Sequence, residues 1–522
     1  MNGAIRKMLL LMATCACVVH GLAATVANKT YFSARNELQQ CGRVWAATAP
    51  FKKSTPGDRG FHTSALVFAS KSGNTVGLGR YLGGSLKTDY SDANGKINIG
   101  LSSAGLPNGL FDRQIDHTYS TADGETAMSG SIQLRPTQKR LGVVLGADID
   151  LKKLFSLDGW HVAVSMPIVQ VTNNLGVTYP TSVASVDGAT KAVTAASTVA
   201  QYFAGNYTQA GGNSQQNLMY GKILADDHVR SGAADMKVMV GYDIVREIDG
   251  CVELRGGLII PFGAKPTAER LFEAVNGNGG HVGVVFAGRG DLLLWENKKK
   301  RIALWGTSDA EFTFLFSGRE KRIAGIFNNS AAVSAAVPTA YAALGVQLNN
   351  AGTFPLANVL ARDMDVIPSA HLDSTLGLSL IYKDFYFNFG YNMFFRKTET
   401  VDMADQWPVD RYGMATYGYS GLTAAADFTA TTLSGDGDAV GPINLYNGST
   451  HIADATVTYQ IDTTACTGPD QETHQALIGA GWQGLFKGVP VNGAFFASYE
   501  LPFNSSKAIR GWSLGARMSM YL

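Results

Sequence analysis

The chain has 522 residues, of which 46% are hydrophobic, 16% are charged and 59 are glycine. It is too apolar for a disordered chain, and its charged fraction lies well under the roughly 25% of an ordinary soluble protein. Lys+Arg 43 against Asp+Glu 42 leaves a net charge of +1, so no global field exists to gather nucleic acid or an anionic surface.

Residues 1–24 read as an export signal. Arg6 and Lys7 precede the apolar run Met8 to Val19, and Gly21-Leu22-Ala23-Ala24 supplies the small exit. The apolar run is too short to span a bilayer. Cleavage after Ala23, Ala24 or Ala27 leaves Cys41, Cys251 and Cys466 scattered along the chain, which is neither a disulfide framework nor a CxxC site. Residues 25–60 follow as an N-terminal segment, read as a first strand or a plug, and 61–522 reads as one body with no linker.

Within that body the dominant signal is alternation with a period of two. In chain order the expected strands begin with a pair at Phe61–Lys71 and Thr75–Leu82. Met128–Arg135 is next, then Arg140–Leu151, where Leu141, Val143, Leu145, Ala147 and Ile149 oppose Gly142, Gly146, Asp148 and Asp150. Trp160–Val169 precedes a long connection over 172–234, whose alanine-rich stretch 182–204 fits a small helix. Met236–Arg246 and Cys251–Phe262 flank the turn Asp249-Gly250, and His281–Trp295 and Arg301–Phe316 flank Glu296 to Lys300. After 318–372, a strand with Leu376, Leu378, Leu380 and Tyr382 on one face meets Phe385–Arg396 across Lys383-Asp384. Beyond 398–473 stand His474–Leu485, Val491–Pro502 and Arg510–Leu522.

No stretch of 18 apolar residues occurs after the signal, so a membrane helix is excluded. The last segment decides for strands that cross. Trp512, Leu514, Ala516, Met518, Met520 and Leu522 alternate with Gly511, Ser513, Gly515, Arg517, Ser519 and Tyr521. That is about twice the usual soluble strand and long enough to cross a bilayer when tilted. In Phe385–Arg396 the rings Phe385, Phe387, Phe389, Tyr391 and Phe395 share one face, as in a barrel whose aromatic girdles meet both water boundaries. The expected fold is all-β, a single transmembrane antiparallel barrel of about 14–16 strands with long loops, the upper figure allowing strands near Tyr31 and Val457. Short and long connections alternate except at Pro136 to Lys139, where a short connection falls on the long-loop side.

A sheet spans hydrocarbon only when closed, which turns one face to lipid and the other to a lumen. On that assignment the pore-lining candidates are Arg135, Asp148 and Asp150 early in the chain. Lys237, Asp243, Glu253 and Arg255 come from the next hairpin, and Arg289, Asp291, Asp309 and Glu311 from the one after. Arg396 and Arg517 complete the set. Both signs occur, so opposite charges on neighbouring strands can pair, or a few can define a constriction.

With these strands the chain resembles Gram-negative outer-membrane β-barrels of the porin-like kind, over about residues 61–522. The resemblance is sharpest in the C-terminal strand, although such proteins usually end in Phe and this one ends in Tyr521-Leu522. It implies an outer-membrane location after export, and as partners membrane lipid, lipopolysaccharide, small solutes and the outer-membrane assembly machinery. A homotrimer is the oligomeric option, and nucleic acid is excluded as a partner.

Enzyme chemistry finds no motif. The nine histidines form no HExxH pair, and GxSxG, Walker and strand-linked GxGxxG motifs are absent. Gly277-Asn278-Gly279-Gly280 reads as a turn, His62 and Ser64 read as wall residues, and Asp309 with Glu311 reads as lumen lining. No catalytic residue, metal or cofactor is expected. The expected function is passive diffusion of small hydrophilic solutes through an outer-membrane channel. The alternatives are a plugged barrel transporter for hydrophobic molecules and a surface-display or adhesive barrel using loops 318–372 and 398–473.

Overall fold

A computed structural model describes residues 29–36, 60–73, 76–83, 96–99, 129–183, 199–206, 216–247, 249–328, 344–347, 353–407, 412–414, 443–444, 459–503 and 508–521. The expected signal, 1–24, and Cys41 lie outside the described residues.

Twelve strands form a closed antiparallel barrel. They are β1 Phe61–Ser72, β2 Thr137–Asp150, β3 Trp160–Asn174, β4 Met236–Glu247, β5 Gly250–Ile260 and β6 Gly283–Asn297. Continuing along the chain, β7 is Ile302–Leu315, β8 His371–Tyr382, β9 Phe385–Arg396, β10 Gln471–Phe486, β11 Val489–Pro502 and β12 Gly511–Tyr521. Each pairs with its sequence neighbour, and closure comes from β1 against β12, with His62 opposite Tyr521 and Ser72 opposite Gly511. Closure removes the two edges that would otherwise leave backbone groups unpaired in hydrocarbon. A further piece, His228–Ala233, pairs with the far half of β3 and runs on through Ala234–Asp235 into β4.

Alternation sets the two faces as the sequence implies. Phe385, Phe387, Phe389 and Tyr391 on β9, Leu376, Leu378 and Leu380 on β8, and Trp512, Leu514 and Met518 on β12 are exposed on the outside. Their in-between neighbours Asn388, Asn392, Ser379, Ser513 and Arg517 are buried on the inside. At the end carrying the short connections, the Trp160 and Tyr242 rings meet at a tilt with centroids 5.0 Å apart. The β10–β11 turn there is only Lys487-Gly488, both in the left-handed region (φ 50° and 82°), the twist a two-residue hairpin turn needs. Inside, Phe496 lies across Gly515 so closely that a Cβ on that glycine would sit 2.2 Å from the ring.

The wall count is twelve where alternation gives 14–16, and two segments account for the difference from fourteen. Val76–Gly83 is an α-helix, not a strand. Leu78, Tyr81 and Leu82 are all buried at i, i+3, i+4 spacing, a helical face that also satisfies part of a two-residue pattern. Ser129–Gln133 is a strand of only five residues, too short to cross a bilayer. It pairs with Lys96–Ile99 and Thr178–Val183 in a small separate sheet. With both removed from the wall, the anomaly at Pro136 disappears. All long connections, 73–136, 175–235, 261–282, 316–370 and 397–470, then lie at one end, and both ends of the barrel chain lie at the other.

The long connections build a cap over their end of the barrel. A sheet of Gly318–Ile323, Ala361–Ile367 and Thr400–Met403, the helix Val76–Gly83 and the short helix Val199–Ala204 share one apolar core. Leu82, Tyr202, Phe203, Leu356, Met364 and Val366 lie at its centre, and Phe32 from the N-terminal segment joins them. The alanine-rich stretch thus contributes one helical turn or two, at its far end.

Candidate functional site in the barrel lumen

In the lumen, charges meet in pairs. Lys237 on β4 donates to Glu311 on β7 at 2.7 Å. Arg255 on β5 donates to Asp309 at 2.6 Å and lies 3.3 Å from Glu253, whose carboxylate also stands 2.9 Å from Nε2 of His161 on β3. Arg289 donates to Asp291 at 3.0 Å on β6. Apart from Arg255, every member is less than one-tenth exposed. Side chains lining an open, water-filled bore would be accessible; these are packed. Twelve strands lie between the roughly eight whose side chains fill a barrel and the sixteen or more that leave an aqueous channel.

The remaining sequence candidates are placed differently. Asp150 is buried, accepts the Lys152 backbone N–H at the helix Leu151–Phe155 and sits 3.9 Å from Arg246. Asp243 lies 4.0 Å from the same arginine. Asp148 is half-buried on β2 opposite His62. Arg517 donates to Ser519 at 3.1 Å on β12. Arg396 tops β9 and donates to the Ser33 carbonyl and hydroxyl at 2.8 Å. Arg135 is exposed, outside the barrel wall, with its backbone N–H on Leu175 O. It lay on the short segment that leaves the wall, and its assignment to the lumen is corrected with that segment. His62 and Ser64 lie on β1, with His62 against the Tyr521 ring at 4.5 Å. Among the described residues no group of three or more His, Cys, Asp or Glu fits a metal ion.

A second set of charges stands where the barrel meets the cap. Arg322 contacts Glu320 at 2.6 Å, pairs with Glu399 and lies over the Tyr31 ring at 3.6 Å. His281 Nδ1 stands 2.8 Å from the Phe316 carbonyl and its Nε2 2.9 Å from Glu320. Burial alone would lower the His281 pKa, but the hydrogen bond and charge of Glu320 outweigh it and hold it above the ordinary value. Burial would likewise raise Glu320, yet Arg322 and His281 hold it below the usual carboxylate range.

The residues that sequence reasoning missed stand on the N-terminal segment, which it read only as a first strand or a plug. Thr30 is tied into the cap by its N–H to Ala465 O at 2.9 Å and its hydroxyl to Ile323 O at 2.5 Å. Five residues on, Arg35 is 4% exposed inside the barrel. Its Nη2 donates to Asp373 and to the Asn392 carbonyl oxygen, both at 2.7 Å, and its Nη1 reaches Glu500 at 3.4 Å. The guanidinium carbon lies 4.8 Å from the centre of the Phe394 ring. Asn36 donates to Asn278 at 2.8 Å. Small polar cavities flank the segment. One of about 60 Å³ is lined by Tyr31 to Ala34, Arg140, Asn173, His281 and Arg396. Another of about 30 Å³ is lined by Ala34, Asn36, Asn278 and His371. Asp373 and Glu500 had a signal, since the alternation of β8 and β11 extends to them; Arg35 had none.

An apolar, aromatic outer belt around a closed antiparallel wall with a polar interior defines a transmembrane β-barrel of the outer-membrane type. No protein-family description matches this chain, and no curated protein matches it. Solved structures that overlay on it include a channel, a transporter and a translocator domain. An outer membrane channel from Pseudomonas putida F1 is 9% identical, covers 90% of this chain and 98% of its own, and gives a TM-score of 0.32. The toluene transporter TodX of Pseudomonas putida is 8% identical over 95% of each chain, with a TM-score of 0.32. The translocator domain of the autotransporter NalP from Neisseria meningitidis is 8% identical over 92% of this chain and 94% of its own, with a TM-score of 0.30. At these values the overlays say nothing of cargo.

Proposed function

We propose that this barrel is an outer-membrane channel for small hydrophilic solutes, held closed at rest by its own N-terminal segment. Its short turns face the periplasm and its cap faces outward, as is usual for such barrels. The observation that carries the reading is Arg35, buried in the lumen and paired with Asp373 on β8 and Glu500 on β11. A closed state with ionic, amide and hydroxyl groups on the wall suits polar cargo. An apolar molecule passing that level would strip carboxylates and guanidinium groups of their partners, leaving buried charges uncompensated at several kcal/mol each.

The experiment is vesicle swelling with the purified, refolded full-length protein. Arg35→Ala is expected to admit small sugars and amino acids several times faster than the wild type, because the segment loses its ionic anchor. Equal, negligible swelling by both, with aromatic hydrocarbon entering instead, would replace this reading with the hydrophobic transporter.

A further inference from the structure

Two of the acceptors around Arg35 are held by the wall itself. Asn392 donates to Asp373 Oδ1 at 2.5 Å and to the Thr375 hydroxyl at 2.8 Å, so the Asp373 and Asn392 oxygens facing Arg35 are aimed by wall-to-wall hydrogen bonds. Asp373, Asn392, Phe394 and Glu500 all stand on barrel strands. Arg35 comes from a stretch, Lys29 to Asn36, with no regular secondary structure. One carboxylate and one amide oxygen meet the same Nη2, a second carboxylate meets Nη1, and an aromatic face lies alongside. That distribution fits a planar, delocalised cation with several donors, and fits a compact ammonium poorly.

We propose that Asp373, Asn392, Phe394 and Glu500 form a binding site for the guanidinium group of a small solute, which Arg35 occupies as an internal stand-in. A solute carrying a guanidinium competes with Arg35 for the same acceptors, and its binding releases the segment's hold on the wall. Small cavities lie beside the segment at Ser33, Ala34 and Asn36. This deepens the proposed channel reading by naming the cargo class, and rests on it for transport though not for binding.

The test is therefore a binding measurement. Folded full-length Arg35→Ala protein is titrated with methylguanidinium chloride, with methylammonium chloride at equal ionic strength as the matched cation, while the thermal unfolding midpoint is followed. Methylguanidinium should raise the midpoint of Arg35→Ala saturably, as a ligand bound only by the folded state does, with roughly tenfold preference over methylammonium. The wild type, its site filled, should shift little, and Asp373→Asn added to Arg35→Ala should abolish the effect. No shift in Arg35→Ala, an equal shift with methylammonium, or an equal shift in the wild type would each overturn the proposal. If Arg35→Ala does not fold, Arg35→Gln is titrated in its place under the same criteria. Swelling reads the channel and the midpoint reads the site, so the two readings can fail separately.

Discussion

His281 makes two contacts that a neutral imidazole cannot make together. Both partners, the Phe316 carbonyl and the Glu320 carboxylate, only accept, and a neutral ring carries one N–H. An imidazolium makes both at once, in agreement with the raised pKa. The sign follows from linkage. A raised histidine stabilises the fold fully below its unfolded value of about 6.5, and that contribution is lost as pH climbs through the higher folded value. Glu320, held low, keeps its contribution above the ordinary carboxylate value and loses it as pH falls through its depressed one. The contact joining cap, barrel mouth and Tyr31 is thus strongest in mildly acidic solution. His281→Gln should lower the unfolding midpoint most near about pH 6 and progressively less toward about pH 9. A midpoint difference independent of pH would show that the ring is not charged here. At this scale the sequence offered strand parity, which assigns a charge to a face only where its segment stays in the wall, as that of Arg135 does not. Pairing was hidden, since Lys237 with Glu311 and Arg255 with Asp309 bring together strands whose relative stagger no single strand specifies.

Among the elements, the long strands were legible because each repeats its message five or six times, as in β9 and β12. The segments misread were short. Val76–Gly83 fits two periods at once, and Ser129–Gln133 has the right alternation over too few residues to cross a bilayer. Both belong to the cap, where burial comes from loop against loop and not from a membrane, so apolar residues there need not keep to one face. The facing of β9 carries its own prediction. Phe389 is 57% exposed on the outer surface, and an arginine facing lipid near mid-depth costs roughly 2 to 4 kcal/mol. Phe389→Arg should sharply reduce folding yield into lipid vesicles, while Phe389→Leu should fold as the wild type does. Equal yields for arginine and leucine would mean that this face of β9 does not meet lipid.

For the molecule as a whole, closure of the sheet was legible, and the place of the N-terminal segment was legible only as a choice between a first strand and a plug. The former follows from backbone hydrogen bonding in hydrocarbon, which any long alternating chain must satisfy. The latter concerns Tyr31 to Asn36, a stretch without periodicity whose place is set by single contacts hundreds of residues away, Arg35 to Asp373 and Glu500 among them. Those contacts tie the segment to three wall strands, and Thr30 ties it to the cap. Cys466 shows how deep the cap's interior is: burial pushes its thiol up to about 12, so it stands as an inert packing residue beside Arg322. The measurement that tests the closed-barrel account most directly is conductance in a planar bilayer, comparing the purified wild type with a variant lacking residues 29–36. A barrel closed by its own segment stays silent or opens rarely as the wild type and gives discrete, ohmic steps once shortened. A wild type that conducts steadily, or a folded shortened protein that stays silent, would contradict closure by the segment.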